Sequence, residues 1–195
     1  MRHLIGRVGN HKLPKTIGIF NLPRRSTCPG ATQWCKQMCY AQKAERMYKQ
    51  VLPYRQMNYK LSRSKDFVAM VNDELKHSKL KYVRIHESGD FYNQEYLDKW
   101  TSIVKANPQV SFTFYTKSFH LLDFSKIKRC KNVIAFASLD PTSTKLQKQK
   151  ARHWRKAFIL PKDVTPKNVF VCSGSCKSCS HCYHNDSGDV GFKPH

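Results

Sequence analysis

Segments that favour β-strands and segments that favour α-helices alternate along this chain at intervals of about 25 residues. Strands are predicted over residues 16–22, 82–88, 110–116, 133–139, 158–160 and 169–171. Helices are predicted between them, over residues 33–46, 54–75, 93–105, 119–130 and 143–156. This alternation gives parallel sheets with right-handed crossovers.

About six strands predict an α/β fold, either a small or partial (β/α) TIM-like barrel or an open doubly wound sheet. We favour the barrel. We expect it to occupy residues 1–171, with a cysteine-rich C-terminal tail over residues 172–195 packed on the same domain.

The cysteines carry the clearest chemical signal, with 8 among 195 residues. The N-terminus lacks the apolar stretch of a secretion signal, and no window approaches the ~18 apolar residues of a membrane span. We therefore expect a cytoplasmic protein without a membrane partner. In a reducing compartment, clustered cysteines bind metal more often than they form disulfides. Cys130 stands alone, and we expect it to be a small buried residue.

Four cysteines fall within eleven residues near the C-terminus: Cys172, Cys176, Cys179 and Cys182. Their spacing is that of a ferredoxin-type run in reverse order, and the small residues between them let the backbone wind around a cluster. Structural zinc sites usually have a longer spacer between two cysteine pairs. We therefore expect an iron–sulfur cluster, most simply [4Fe-4S], with zinc as the alternative.

A second set of thiols, Cys28, Cys35 and Cys39, follows the first predicted strand. Three cysteines would leave one metal position open, as a catalytic or substrate-binding cluster requires. A fourth ligand could also come from the C-terminal group. The spacing leaves both arrangements open, two clusters or one shared site.

Polar residues follow several of the predicted strands, where ligands bind in parallel α/β folds. The candidate cofactor contacts are Ser88, Gly89, Asp90, Ser138 and Asp140. Each aspartate also has a structural interpretation, because Asp90 could cap the helix that begins near Asn93 and Asp140 could start a helix. His86 could simply pack in the core.

The net charge of +22 is concentrated in two blocks. Residues 1–65 carry 14 Lys and Arg against one acid, and residues 126–167 carry 12 against two, while the rest is nearly neutral. Two basic blocks predict a polyanionic partner, DNA or RNA. Aromatic residues lie among the charges (Trp34, Tyr40, Trp154), as in proteins that grip single strands. The candidate nucleic-acid contacts are Arg24, Arg25, Lys36, Lys43, Arg46, Lys49, Lys148, Lys150, Arg152, Arg155 and Lys156.

Four segments together resemble a family of small, largely uncharacterised phage gene products. They are residues 28–41 (Cys-Pro-Gly-Ala-Thr through Cys-Tyr-Ala), residues 85–91 (Ile-His-Glu-Ser-Gly-Asp-Phe), residues 112–118 (Phe-Thr-Phe-Tyr-Thr-Lys-Ser) and the terminal cysteines. The resemblance implies a viral or prophage origin and work in the cytoplasm of an infected or lysogenic host cell.

The same landmarks are distantly similar to the radical S-adenosylmethionine superfamily. Its members place three cluster cysteines after the first barrel strand, and the similarity implies S-adenosylmethionine contacts at residues 88–90 and 138–140. The spacing of Cys28, Cys35 and Cys39 departs from the superfamily's C-x3-C-x2-C pattern.

Three functions follow from these patterns. The first is a phage-type iron–sulfur protein that binds nucleic acid through its basic blocks, with a structural or redox-active cluster. The second is a radical S-adenosylmethionine-like enzyme that uses an open-iron cluster, acting on nucleic acid. The third is a zinc-binding module for nucleic acid. No catalytic residue is assigned, and DNA and RNA are not distinguished.

Overall fold

The computed structural model describes residues 3–6, 13–161, 168–184 and 188–193. In this part of the chain, seven strands form one parallel sheet in the order β1-β2-β3-β4-β5-β7-β6. The strands are β1 (Ile17–Phe20), β2 (Tyr82–Ile85), β3 (Ser111–Thr116), β4 (Val133–Leu139), β5 (Arg155–Ile159), β6 (Phe170–Val171) and β7 (Val190–Phe192). The helices are α1 (Gln33–Gln37), α2 (Ala41–Met47), α3 (Val51–Ser62), α4 (Phe67–Lys76), α5 (Gln94–Ala106), α6 (Ser125–Lys128) and α7 (Lys145–Lys150).

The parallel α/β architecture is confirmed, but a closed barrel is not formed by the residues that the structure describes. Strands β1 to β5 lie side by side in chain order, without the reversal of a doubly wound sheet. At the outer edge of β1, Gly6 pairs in antiparallel fashion with Ile19. No helix in the described ranges is long and apolar enough to cross a bilayer.

The main core lies between one face of the sheet and the helices α4 and α5. The side chain of Asn93 caps α5 by accepting a hydrogen bond from the backbone N–H of Tyr96. Apolar residues at helical spacing, among them Trp100, then face the sheet and are fully buried. Phe20 on β1 meets Trp100 edge to face, with ring centroids 5.3 Å apart.

The C-terminal segment covers part of the opposite face of the sheet. Tyr183 packs edge to face on Tyr82 of β2, with ring centroids 5.0 Å apart, and its carbonyl accepts a hydrogen bond from Ser111. Cys182 contacts the apolar residues of β4 on this face. Strand β7, which the sequence patterns did not predict, inserts between β5 and β6. Residues beyond 171 therefore contribute to the sheet itself.

Four of the predicted helices are divided or shortened. The helix predicted over 54–75 is divided into α3 and α4, and the helix predicted over 119–130 is reduced to a 3-10 turn and α6. The helix predicted over 33–46 is divided into α1 and α2. The helix predicted over 143–156 ends at Lys150 and a single 3-10 turn, so Arg155 and Lys156 lie on β5 instead. The physical reason is Trp154, whose backbone is extended and whose ring packs against Phe124, with centroids 5.3 Å apart.

Candidate metal centres and nucleic-acid surface

The first cysteine group lies in the segment that follows β1, with Cys28 in the loop, Cys35 on α1 and Cys39 between α1 and α2. Within the loop, the Thr27 hydroxyl donates to the carbonyl of Pro23 at 2.6 Å. Gly30 touches the end of β3, because a Cβ atom at this position would lie 2.2 Å from the carbonyl oxygen of Lys117. Only glycine allows this approach. The loop bearing Cys28 is thereby seated on the carboxyl end of β3.

Thr32 connects this loop to the end of β4. Its side chain accepts a hydrogen bond from the backbone N–H of Cys35 at 3.2 Å, which caps α1, and donates to Oδ2 of Asp140 at 2.5 Å. Nearby, the backbone N–H of Trp34 donates to the hydroxyl of Thr142. Contacts between positions more than 100 residues apart therefore fix Cys35 relative to the sheet.

Asp140 and Lys117 form a nearly buried ion pair at this edge, with Nζ 2.6 Å from Oδ2. The ammonium group also donates to the carbonyl of Ser138 at 3.2 Å. Burial acts to raise the pKa of Asp140, but hydrogen bonds from Lys117 and Thr32 outweigh it and hold that pKa below its ordinary value. The carboxylate is therefore ionised at neutral pH. The candidate contacts predicted from the sequence did not include Lys117 or Thr32, although Lys117 directly follows a predicted strand.

Asp90 organises the turn after β3. Its carboxylate accepts hydrogen bonds from the Thr116 hydroxyl at 2.7 Å and from the backbone N–H groups of Phe91, Lys117 and Ser118. Burial raises its pKa. It does not cap α5, which Asn93 caps.

Ser88 and Gly89, two further predicted contacts, follow β2 and pack against the residues that follow β1. The Ser88 hydroxyl donates to the Leu22 carbonyl, and Gly89 has φ +83°. A Cβ atom on Gly89 would lie 2.5 Å from that of Leu22. His86, also left-handed at φ 71°, packs in the core and contacts the Tyr96 hydroxyl through Nε2. All five predicted cofactor contacts therefore lie at one edge of the sheet.

The thiols of the first group are half-buried and influence one another. Burial raises the pKa of Cys28 to about 12, and the neighbouring Asp90, Cys35 and Cys39 add to the increase. Burial also raises the pKa of Cys35, although Lys117 opposes that effect. A thiol with such a pKa is protonated at neutral pH and is a poor nucleophile. Cys28 and Cys35 therefore lack the depressed pKa of an activated cysteine nucleophile.

The second cysteine group lies on the face of the sheet that the C-terminal segment covers. Cys172 directly follows β6, and its sulfur accepts a hydrogen bond from the N–H of Gly174, a residue with φ +83°. Burial raises the pKa of Cys182 to about 11, against the influence of Tyr115 and Arg84. Cys172 and Cys176, both from the same group, also raise the pKa of Cys182.

The structure thus arranges seven cysteines as two sets, and all eight are free thiols. Within the described ranges, no three His, Cys, Asp or Glu side chains are already close enough to hold a metal ion. The chemistry of the donors nevertheless fits an iron–sulfur cluster. Three thiols lie within residues 28–39, and four lie within a short segment containing a left-handed glycine.

Arg84 on β2 lies between the two cysteine sets. Its guanidinium carbon is 4.8 Å from the ring centroid of Tyr115, and Nε donates to the carbonyl of His86. Burial raises the pKa of Cys176 and of Tyr40, the neighbour of Cys39. The positive charge of Arg84 opposes the increase at both residues. Arg84 was not among the predicted site residues, although a charged residue inside a predicted strand is itself unusual.

The two basic blocks meet beside the first cysteine group. Gln147 of α7 donates to the carbonyl of Gly30, which joins the second block to the loop of the first. The exposed members of the predicted contact set are Arg25, Lys36, Lys43, Arg46, Lys49, Lys148, Lys150 and Arg152. A surface depression of about 620 Å³ is lined by Lys145, Lys148, Gln149 and Arg152.

Three of the predicted nucleic-acid contacts are instead engaged within the protein. Arg24 donates from Nε to Glu45 at 2.8 Å, and Lys156 pairs with Asp189 at 3.3 Å. Arg155 is half-buried on β5.

The prediction that Trp154 provides a stacking platform is wrong. Its ring packs against Phe119 and Phe124, and the ammonium of Lys128 covers it at 4.1 Å. Tyr40 keeps 53% of its surface exposed, and Trp34 is half-buried. Of the three aromatic residues among the charges, Tyr40 is thus the most accessible.

Fold and site define a class of protein: a parallel α/β domain with one thiol set at the carboxyl edge of its sheet, another across one face, and a basic surface beside the first. The sequence profile of the family described as Gene product 88 matches residues 2–169, and the chain belongs to that family. The matched region contains the first cysteine group, and the second lies C-terminal to it.

Two curated relatives are phage proteins. The Gene 88 protein of Mycobacterium phage L5 is 31% identical over 142 residues, covering 65% of this chain and 59% of the relative. The Gene 88 protein of Mycobacterium phage D29 is 30% identical over 142 residues, with the same coverage. The chain therefore spans less than two thirds of the length of these relatives. No solved structure matches.

Proposed function

We propose that this chain is a phage iron–sulfur protein that binds nucleic acid in the cytoplasm of an infected or lysogenic host cell. One observation carries the proposal: the contacts of residues 30–34 with residues 140–147 bring both basic blocks alongside the first cysteine group. A polyanion bound there would cross a surface with a large excess of positive charge. Neutralising phosphates at such a surface releases counterions and drives binding.

In this proposal the parallel sheet is a partial (β/α) barrel, and the thiols hold the cluster. Cys172, Cys176, Cys179 and Cys182 would supply four ligands for a [4Fe-4S] cluster, and Cys28, Cys35 and Cys39 would supply three for a second centre or contribute to one shared site. A bound cluster would contribute structural cross-linking or one-electron redox chemistry. Arg84 would offset the negative charge of thiolate ligands on both sides of it. Zinc held by the C-terminal thiols is the alternative metal, which would make the chain a zinc-binding nucleic-acid-binding module.

A second candidate function is a radical S-adenosylmethionine-like enzyme with nucleic acid as its substrate. The specific observation in its favour is that three cysteines follow the first strand of a parallel sheet whose polar strand ends share their edge. The turns at Ser88–Asp90 and Ser138–Asp140 lie at the same edge. S-adenosylmethionine should then perturb the EPR signal of the reduced cluster, and an unchanged signal would count against the enzyme.

Nucleic-acid binding is tested by measuring affinity for a labelled oligonucleotide as the salt concentration rises. We expect a steep linear fall of log affinity with log salt, and a flat response would refute the electrostatic account. Replacing Lys148 and Arg152 with glutamine should weaken binding. The slope of log affinity against log salt should fall by the amount expected for the loss of about two phosphate contacts. The matched control replaces Lys76 and Lys79, both exposed before β2 and away from the cysteine loop, and should bind as wild type.

A further inference from the structure

A second exposed feature adjoins the first cysteine group, and it is apolar as well as basic. Around α2, four large apolar side chains are more than half exposed: Met38 by 54%, Tyr40 by 53%, Met47 by 59% and Tyr48 by 51%. The cations Lys43, Arg46 and Lys49 lie exposed among them. We call residues 38–49 the aromatic–basic surface.

The two tyrosines of this surface are held in place by the backbone. The Tyr40 hydroxyl donates to the carbonyl of Glu87, while the ring remains accessible. Burial of the hydroxyl raises the pKa of Tyr40 to about 12, so the phenol is neutral. Tyr48 ends α2, and its N–H donates to the carbonyl of Ala44. Because the two tyrosines are eight positions apart, their Cα atoms lie about 12 Å apart along the helix axis.

The structure also removes negative charge from this surface. Glu45 is the one acid among residues 1–65, and its side chain turns inward, where it is 9% exposed. There it pairs with Arg24 and Arg55, each at 2.8 Å. The exposed charged residues of α2 and of the two residues after it, Lys43, Arg46 and Lys49, are therefore all positive. Such a surface complements phosphate and repels acidic protein.

We propose that the aromatic–basic surface binds single-stranded nucleic acid, with phosphates at Lys43, Arg46 and Lys49 and bases stacked on Tyr40 and Tyr48. The inference rests on the proposed nucleic-acid binding and adds strandedness and location. Exposed rings stack on bases only when the faces of those bases are free, whereas a duplex keeps them stacked on each other. Cations alone would not discriminate in this way.

The test is fluorescence anisotropy of the full-length chain with a labelled oligonucleotide, offered as a single strand and as a duplex at the same salt concentration. We expect the single strand to bind more tightly, and Tyr48→Leu to weaken it about 5- to 100-fold while leaving duplex binding nearly unchanged. Tyr48→Phe, which keeps the ring, should restore binding. Leu121→Ala, at an exposed apolar residue in the segment after β3 and outside the aromatic–basic surface, is the control. Circular dichroism would establish that each variant folds.

The same assay with DNA and RNA strands of one sequence identifies the preferred sugar. Equal or tighter duplex binding, or wild-type affinity of Tyr48→Leu, would overturn the inference while leaving nucleic-acid binding intact. Absence of binding to every oligonucleotide would instead overturn the proposed function itself. Anionic vesicles that bind wild type but not Tyr48→Leu, without a preference for single strands, would assign this surface to a membrane and also overturn the inference.

Discussion

Replacing Thr32 with valine should destabilise the protein, because its hydroxyl makes one of the hydrogen bonds that hold the first cysteine group to the sheet. The hydroxyl donates to the buried carboxylate of Asp140 and accepts from the N–H of Cys35. A hydrogen bond to a charged group contributes about 1.5–3 kcal/mol, and a helix N-cap about 1 kcal/mol. Asp140 keeps its contacts with Lys117 and Thr142, so the buried carboxylate still has hydrogen-bond donors in the variant. We expect a loss of about 2.5 kcal/mol.

The assay is urea unfolding of anaerobically purified protein, compared with two controls. Thr32→Ser keeps the hydroxyl and should lose less than about 1 kcal/mol. Thr101→Val removes a buried hydroxyl that bonds only within its own helix, to the carbonyl of Leu97, and should cost about 1 kcal/mol. The reasoning fails if Thr32→Val unfolds like wild type, or if serine and valine are equally damaging.

Three further changes test other parts of the structure. Gly30→Ala would drive a methyl group into the backbone of the β3 end and should abolish stable folding, whereas Gly188→Ala, where a Cβ atom meets no described residue within 4 Å, should be neutral in thermal unfolding. Burial lowers the pKa of His86 to about 3, below its unfolded value of 6.5, so stability is lost as pH falls through 6.5. About 1.4 kcal/mol should disappear between pH 8 and pH 5.5; His86→Asn should lack this component in urea titrations, and exposed His77→Asn should retain it. Glu45→Gln leaves two partly buried arginines unpaired and should cost about 3–5 kcal/mol; a loss below 1 kcal/mol in urea unfolding would contradict the role of this pair.

Local patterns were sufficient for the first four strands and for α5. Strand β4 has the predicted bounds Val133–Leu139, because a continuous apolar run buried on both faces is unambiguous. The helix expected over 143–156 was too long because charged residues favour helix locally. Trp154 packs in the core and forces the chain into β5. Tertiary packing overrides propensity here.

The residues that build the site were harder to predict than the thiols. Cysteine spacing alone defines the two thiol groups, and the polar strand ends alone suggest Asp90 and Asp140 as contacts, which stay predictions. The bond from Thr32 to Asp140 joins positions 108 residues apart, and no local pattern contains such a contact. The inward turn of Glu45 is equally invisible, since its arginine partners become neighbours only after folding.

The central claim is that these cysteines hold iron–sulfur clusters, and the most direct measurement is iron, zinc and acid-labile sulfide per chain after anaerobic purification. We expect about four irons with matching sulfide for one [4Fe-4S] cluster, or about eight if both groups are loaded. Alanine variants of Cys179 and of Cys35 would then assign the ligands of each group. One zinc without sulfide would contradict the claim and leave a zinc-stabilised nucleic-acid-binding domain.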